Sequence, residues 1–397
     1  MATKFGTGIV KDKDSFKAGV EAASRAMKQA EIKRPDIAIV FASSFYNYDD
    51  VVKGVRKATG NARLIGCSTA GEFTQEAVMK ESVACAVISS DIHKFSVGMG
   101  KGLKEDEIET LKDASSKFQA PPAGYPYQSA ILLIDGLAGK GEESALAALN
   151  ALGPNVKFSG GAAADNLKFS RTCVFADDKV ADNAAVLALV NSKIPVAIGV
   201  RHGHSPISPP LTITKAEGNI VHEINGRPAF EVWKEYTRQN AKGLGIDVDK
   251  MSEVAAIQTF FTRYEAGILT GEEYKIRWLG GTTTTNGPIS FPCSMTEGMI
   301  VRVMESPEQD QIDSARKAAE IALAACKGVK LAGAIIFDCV CRAVILGDDF
   351  SKAIDEIKDV LKGIPIIGFE TYGEIAMEVG QLSGFHNTTT VALLIPD

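Results

Sequence analysis

Two stretches carry the side chains whose types and spacing could do chemistry. Residues 64–73 read LIGCSTAGEF and residues 366–375 read IIGFETYGEI, so that Gly66 answers Gly368, Thr69 answers Thr371, Gly71 answers Gly373 and Glu72 answers Glu374. In each, apolar residues run into a glycine, small or polar residues follow, and a second glycine delivers a carboxylate. That is the pattern of a buried strand ending in a tight turn. One such turn is ordinary, whereas two with the same spacing form a repeat. A polar turn at the carboxyl end of a buried strand gathers free backbone N–H groups and helix amino termini, which is where α/β proteins hold ligands. The candidates are Ser43, Ser44, Cys67, Ser68, Thr69 and Glu72 in the first copy, and Cys339, Arg342, Glu370, Tyr372 and Glu374 in the second. A ligand carrying both charges needs a cation for its anionic group and acceptors for its cationic one. Arg342 offers the first as a bidentate contact, and Glu72 or Glu374 the second. His386, Asn387 and Thr389 in the last loop complete the set.

Each of these residues also has a purely structural use. Glu72 and Glu374 could cap backbone N–H groups at their turns, Arg342 could pair internally with Asp338, and Asn387 and Thr389 could bond loop backbone. Cys67 and Cys85 read as small buried hydrophobes. An enzyme with Cys339 or Cys67 as nucleophile would need a histidine base, for which only His93, His202, His204, His222 and His386 exist; His386 lies nearest the second turn in sequence.

Elements must position these groups. Apolar runs at 37–41 (IAIVF) and 334–337 (AIIF) precede the two turns, each followed by a polar break (Ser43 and Ser44, then 338–342) and an amphipathic stretch. A weaker third copy runs from 130–134 (AILLI) through a helical stretch at 142–152 to 158–165 (FSGGAAAD), ending in aspartate. Each copy has the length of a strand, crossover helix and parallel strand. Helices are also expected at 14–30, 50–59 and 104–118, and strands at 82–89, 95–98, 184–190 and 196–200. Prolines 206, 209 and 210 mark a boundary between lobes 1–208 and 209–397. Beyond it come a hairpin at 211–224, a helix from 229 toward 236, a short strand at 276–278, and a polar loop with a threonine run at 282–285. Ser306-Pro307-Glu308-Gln309 has the marks of a helix start with a capping box. The hairpin and the paired closing strands interrupt the βαβ rhythm. The expected fold is therefore α/β with mixed sheets, flanking helices and an internally duplicated two-lobe architecture.

The chain has 397 residues, 45% of them hydrophobic and 23% charged, with a net charge of -6. Those are globular values, and the absence of clustered Lys and Arg argues against nucleic-acid binding. No apolar run is long enough for a membrane span, and the amino terminus lacks a signal peptide, which points to the cytoplasm. Seven cysteines, few for the length and odd in number, suggest no disulfide framework, and Cys339 and Cys341 have no second close pair to complete a zinc site.

The residues also resemble a known family. PDIAIVFASSFY from Pro35, with LIGCSTAGEF, is similar to the amino-terminal half of the FIST sensory module. LTITKAEGNIVHEINGRPAFEVW at 211–233, FDCVCR at 337–342, IIGFETYGEI and HNTTT from His386 are similar to its carboxy-terminal half. One departure is Cys341, where the family pattern has a small residue. The resemblance implies signal transduction through a bound small molecule such as an amino acid; some members bind haem and respond to nitric oxide. The stretch ahead of Pro35 is too short for the F-box that precedes the module in eukaryotes, and no kinase, cyclase or receiver motif is present. Output is therefore expected through a signalling partner supplied in trans.

Overall fold

Strand Ile37–Ser43 lies parallel to Arg63–Thr69 across helix Tyr48–Thr59, strand Tyr127–Ile134 parallel to Lys157–Ala162 across helix Gly141–Leu152, and strand Leu331–Cys339 parallel to Ile366–Thr371 across helix Phe350–Leu361. The strand–helix–strand unit thus forms at all three copies, within a mixed α/β fold of several sheets with flanking helices and an internally duplicated two-lobe architecture. The computed structural model describes residues 3–271, 273–282, 285, 287–291, 293–381 and 383–397.

Each unit is flanked by an antiparallel return strand and an edge strand: Val83–Ser89 and Lys4–Val10 in the first sheet, Ala184–Ser192 and His93–Lys101 in the second, Thr389–Pro396 and Ala197–His202 in the third. On the other side the sheets are completed by exchange. The corner strand Glu72–Thr74 leaves the first unit and pairs with Ile366–Thr371, Glu374–Met377 leaves the third and pairs with Lys157–Ala162, and Val174–Ala176 leaves the second and pairs with Arg63–Thr69. The three corners therefore interlock in a ring.

The strands read as continuous apolar runs because both faces are covered. Inward, Ile39, Phe41, Ile131, Leu133, Ile335, Phe337 and Phe369 share one core, with the Phe41 and Phe369 ring centroids 4.4 Å apart. Outward, helices Ser15–Gln29 and Tyr48–Thr59 cover the first sheet, Glu107–Ser115 and Gly141–Leu152 the second, Glu308–Ala325 and Phe350–Leu361 the third. In each edge strand glycines let the covering helix sit flush. A Cβ on Gly6 or Gly8 would overlap the carbonyls of Ala26 or Ala22, on Gly98 or Gly100 those of Ala114 or Thr110, and on Gly199 that of Ala318. Gly98→Ala is therefore expected to lose roughly 1–3 kcal/mol in a denaturant titration, the usual cost of overpacking against backbone. Gly243→Ala, at a helix end with open space around it, should be neutral or slightly stabilising.

Between edge strand Ala197–His202 and helix Glu308–Ala325 the chain builds a separate layer. It contains strands Leu211–Glu217, Ile220–Ile224, Tyr264–Thr270, Glu273–Arg277 and Ile300–Glu305, and helices Ala229–Gly243 and Val254–Arg263, around a core of Phe230, Trp233, Phe260, Phe261 and Tyr264. The expected hairpin and following helix form, the helix running on to Gly243. Thr283 and Thr284 of the threonine run lie outside the described residues. Strands Lys4–Val10, Tyr264–Thr270 and Ile300–Glu305 and helix Val254–Arg263 were not legible in the sequence. In the first, two glycines mask the strand pattern. The capping box at 306–309 does not form: Ser306 Oγ accepts from Gln311 Nε2 and Gln309 turns to Asp313. The break at 338–342 is not an exposed loop either, since Asp338 and Cys339 finish the strand and helix Val340–Leu346 follows at once.

Candidate functional site

The corner turns meet through the main chain. Ala70 N donates to Glu370 O and Glu370 N to Gly71 O; Ala164 N donates to Ser68 O; Tyr372 N donates to Ala162 O and Ala162 N to Gly373 O. At Gly71 a Cβ would displace the Glu370 carboxyl, and Gly373 is required because its φ of 145° is glycine territory and the Phe385 ring occupies the space a side chain would need. Gly66 and Gly368 face the carbonyls of Val40 and Ile336 across their parallel strands, where a Cβ would overlap.

Their carboxylates do not open onto a shared space. Glu72 and Glu374 are fully buried. Glu72 accepts from Thr69 Oγ1 and from the N–H and Oγ of Ser82, at the start of the return strand, and Glu374 accepts from Thr371 Oγ1 and Thr389 N, at the start of its own. Each carboxyl ties a corner to the next strand, which is the backbone-capping role. Burial pushes both upward, Glu72 to about 8 and Glu374 well above the carboxylate range, so both are held as neutral acids. In the second unit the same job falls to Asp135, which takes Thr172 Oγ1 and, at 2.5 Å, Asn183 N just before the return strand. The aspartate at the end of the third copy, Asp165, does something else. It accepts from the N–H groups of Phe169, Ser170 and Arg171 at 2.8–2.9 Å and from Tyr372 Oη at 2.5 Å, holding a loop in which Asn166, Leu167 and Phe169 all have positive φ. Burial works to raise Asp165, but these four donors together outweigh it and its carboxyl lies below the usual range.

The expected cation, Arg342, is fully buried and committed. It donates to Asp338 at 2.7 Å, to the side chain of Gln311 at 2.5 Å, to Ser314 Oγ at 2.7 Å and to the Gln311 carbonyl at 2.8 Å. This corrects the reading of Arg342 as a ligand contact: its donors are spent on internal support. Ser43, Cys67, Ser68, Thr69 and Cys339 are likewise buried in packing, and Ser68 Oγ accepts from Cys173 N. Burial raises the Cys67 and Cys339 thiols well above their ordinary value, and neither has a histidine partner among the described residues, so neither is poised as a nucleophile. Asn387 accepts from Trp278 N at 3.4 Å. Ser44 lines a shallow 300 Å³ hollow with Tyr46, Lys168 and Arg171.

His386 and Thr389 line a larger space that the sequence did not locate, a cavity of 680 Å³ between the inserted layer and the second and third sheets. Its wall carries Arg201, His202, Glu273, Tyr274 and Lys275 beside Ile198, Val200 and Met377. Arg201 grips both oxygens of Glu273 at 2.8 and 2.9 Å. Lys275 Nζ donates to Ser383 O and Oγ at 2.5 and 2.6 Å, and burial pulls it down to about 8. Burial likewise takes His202 and His386 to about 3, leaving both neutral. Nothing in the local sequence could have assembled this wall, because its residues come from three sheets.

His93, His202, His204 and His386 each have a ring nitrogen turned to a group within the chain, which does not fit an axial role on haem iron. His202 Nδ1 accepts from His204 N, which places its proton on Nε2, and His386 Nε2 lies 3.2 Å from the Ala376 carbonyl. His204 Nε2 faces Glu265 at 2.9 Å and His93 Nε2 faces Pro396 O at 3.1 Å.

Three interlocked α/β units with an inserted layer, and a largely apolar cavity with charged side chains in its wall where that layer meets them, define the class of protein. The chain belongs to the FIST family: the FIST N domain matches residues 36–227 and the FIST C domain residues 229–377. FIST domains are signalling-associated sensory domains for small ligands. An uncharacterized protein of Mycobacterium tuberculosis is 24% identical over 404 residues, 99% of this chain and 100% of the relative, and another of Mycobacterium bovis 24% over 406 residues, 99% of each. One of Methanocaldococcus jannaschii is 26% identical over 242 residues, 57% of this chain and 46% of its own. Two solved structures of cyanuric acid hydrolase, one of them from A. caulinodans, align with TM-scores of 0.28 and 0.32 at 10% and 7% identity, covering 48% and 100% of this chain and 72% and 100% of theirs. Likeness at that level transfers neither fold nor activity. No helix among the described residues is long and apolar enough to cross a membrane.

Proposed function

We propose that the protein is a sensory module that binds an amino acid or similar small metabolite in the 680 Å³ cavity and passes the signal to a partner protein in trans. One observation carries this reading: Lys275, Arg201 and Glu273 share the wall of a cavity whose volume is typical of small-molecule sites. Two of the three Lys275 donors rest on Ser383, leaving one for a carboxylate. Glu273 can take an ammonium, and the aliphatic wall a side chain. Because the cavity lies between layers, a ligand there would bias how the inserted layer sits on the sheets, and that change is what a partner would read.

The expected result is a rise in melting temperature with a subset of L-amino acids, since a ligand that binds only the folded chain at 100-fold its Kd stabilises it by about 2.7 kcal/mol. Lys275→Met should remove that rise without lowering the unliganded melting temperature. Affinity should fall roughly tenfold between about pH 7 and 9, as Lys275 loses its proton through about 8. A panel in which no amino acid or small carboxylate shifts the wild type, or in which Lys275→Met shifts equally, would remove this reading.

A further inference from the structure

A buried carboxyl with no hydrogen-bond partner is costly unless something else meets it. Glu370 is such a group. Its main chain is pinned by Ala70 N and Gly71 O, its side chain is 1% exposed, and Oε2 makes no hydrogen bond among the described residues. It lies over Gly71, where no Cβ interferes, and lines a hollow of 290 Å³ with Ala70, Asn166, Leu167, Val340, Ala343 and Val344. The hollow opens to solvent past Leu167 and Val344, each 43% exposed. An acidic floor under an apolar mouth is the complement of an amine with a hydrocarbon tail.

We infer that the hollow over Glu370 is a second ligand site, separate from the large cavity, which takes a primary ammonium carrying a short apolar tail. The ammonium would meet Oε2, and the tail would cover Leu167, Val340 and Val344. Two charged groups face the carboxyl: Lys80, exposed on the rim, attracts it, while Asp338 repels its charge; the neighbouring Glu72 is held neutral. Asp338 is already neutralised by Arg342. Lys80 therefore competes with the ligand only weakly, from solvent. Burial holds Glu370 at about 8. An incoming ammonium favours the ionised form and so expels a proton; affinity must rise with pH up to that value.

The test is calorimetric titration of the full chain with n-butylamine hydrochloride, and with sodium butyrate as the opposite charge, at about pH 6.5 and 8.5 in two buffers of different ionisation enthalpy. Butylamine should bind roughly tenfold or more tighter at the higher pH, releasing close to one proton at the lower pH and little at the higher, and butyrate should not bind. Glu370→Gln, which keeps the shape, should abolish binding. Ala343→Phe, which fills the hollow without touching the carboxyl, should do the same, while Lys275→Met should leave amine binding intact. No amine binding by the wild type at the higher pH, equal binding by folded Glu370→Gln, or binding at about pH 6.5 without proton release would overturn the proposal. Because Lys275 reports only on the large cavity, failure here and failure of the amino-acid reading are distinguishable.

Discussion

Arg342→Met is expected to cost on the order of 3–5 kcal/mol of folding stability, measured by denaturant titration, because it strands a buried carboxylate. Asp338 has no exposure; apart from Arg342 its carboxyl accepts from the Thr390 hydroxyl at 2.7 Å, and burial already raises it. Without the guanidinium it must take a proton to stay inside. The deficit should therefore deepen as pH rises and shrink in mild acid. The loss also reaches beyond the pair. Gln311, which receives two of the arginine's bonds, donates to Gly203 O and Ser306 Oγ, and lies beside His204, whose ring faces Glu265 of the inserted layer. One guanidinium thus braces the joint between layer and sheet. Asp338→Asn placed together with Arg342→Met should recover much of the stability, since a neutral amide can stay buried where an unpaired charge cannot. Equal stability of wild type and Arg342→Met across the pH range would refute the account.

Stability should also fall as pH rises from about 6.5 to 8, against the trend of most proteins. Glu72 and Glu370 are each raised by burial to about 8, and Glu265 and Glu374 go well above the carboxylate range. In the unfolded chain glutamates ionise near ~4.3. Over the window between, the folded state holds more protons, so the contribution is complete at low pH and is lost as pH rises through the folded values. The buried histidines run the other way. His202, His204 and His386 are pulled by burial to about 3, so their contribution is lost as pH falls below about 6.5 and is complete above it. Between about 6.5 and 8 the carboxyls dominate the slope, with Lys275 opposing them only above about 8, and Glu72 and Glu370 together imply roughly 2.7 kcal/mol per pH unit. Glu72→Gln keeps a neutral group between Thr69 and Ser82 but loses one acceptor, costing about 1 kcal/mol at pH near 6. Its melting temperature should then cross above wild type near pH 7, because Glu72 alone costs the wild type roughly 1.4 kcal/mol per pH unit in that range. Parallel curves for the two proteins would show that Glu72 is not held neutral.

Much of the fold was readable in the chain. The three strand–helix–strand copies stand where apolar runs and glycine turns placed them, because strand burial and helix amphipathicity are written in local periodicity. What the repeat did not disclose was the exchange of corner strands, since Glu72–Thr74 and Glu374–Met377 find their partners far away in sequence. Glu72 and Glu374 were identified correctly as equivalent turn carboxylates. Whether they face a ligand or cap a strand depends on where Ser82 and Thr389 come to lie. Asp135 carried no turn signature at all, although it does the same work in the second unit.

By itself the sequence determined the fold class, the repeating unit and its family, because those follow from side-chain types at short spacing. Tertiary structure alone decided which polar groups are spent internally and which line a cavity. Arg342 and Lys275 are both cations near buried strands, yet one is enclosed by Asp338 and Gln311 and the other faces open volume. The difference is made by elements hundreds of residues apart, and desolvation, which sets the chemistry of each group, depends on that packing rather than on neighbours along the chain.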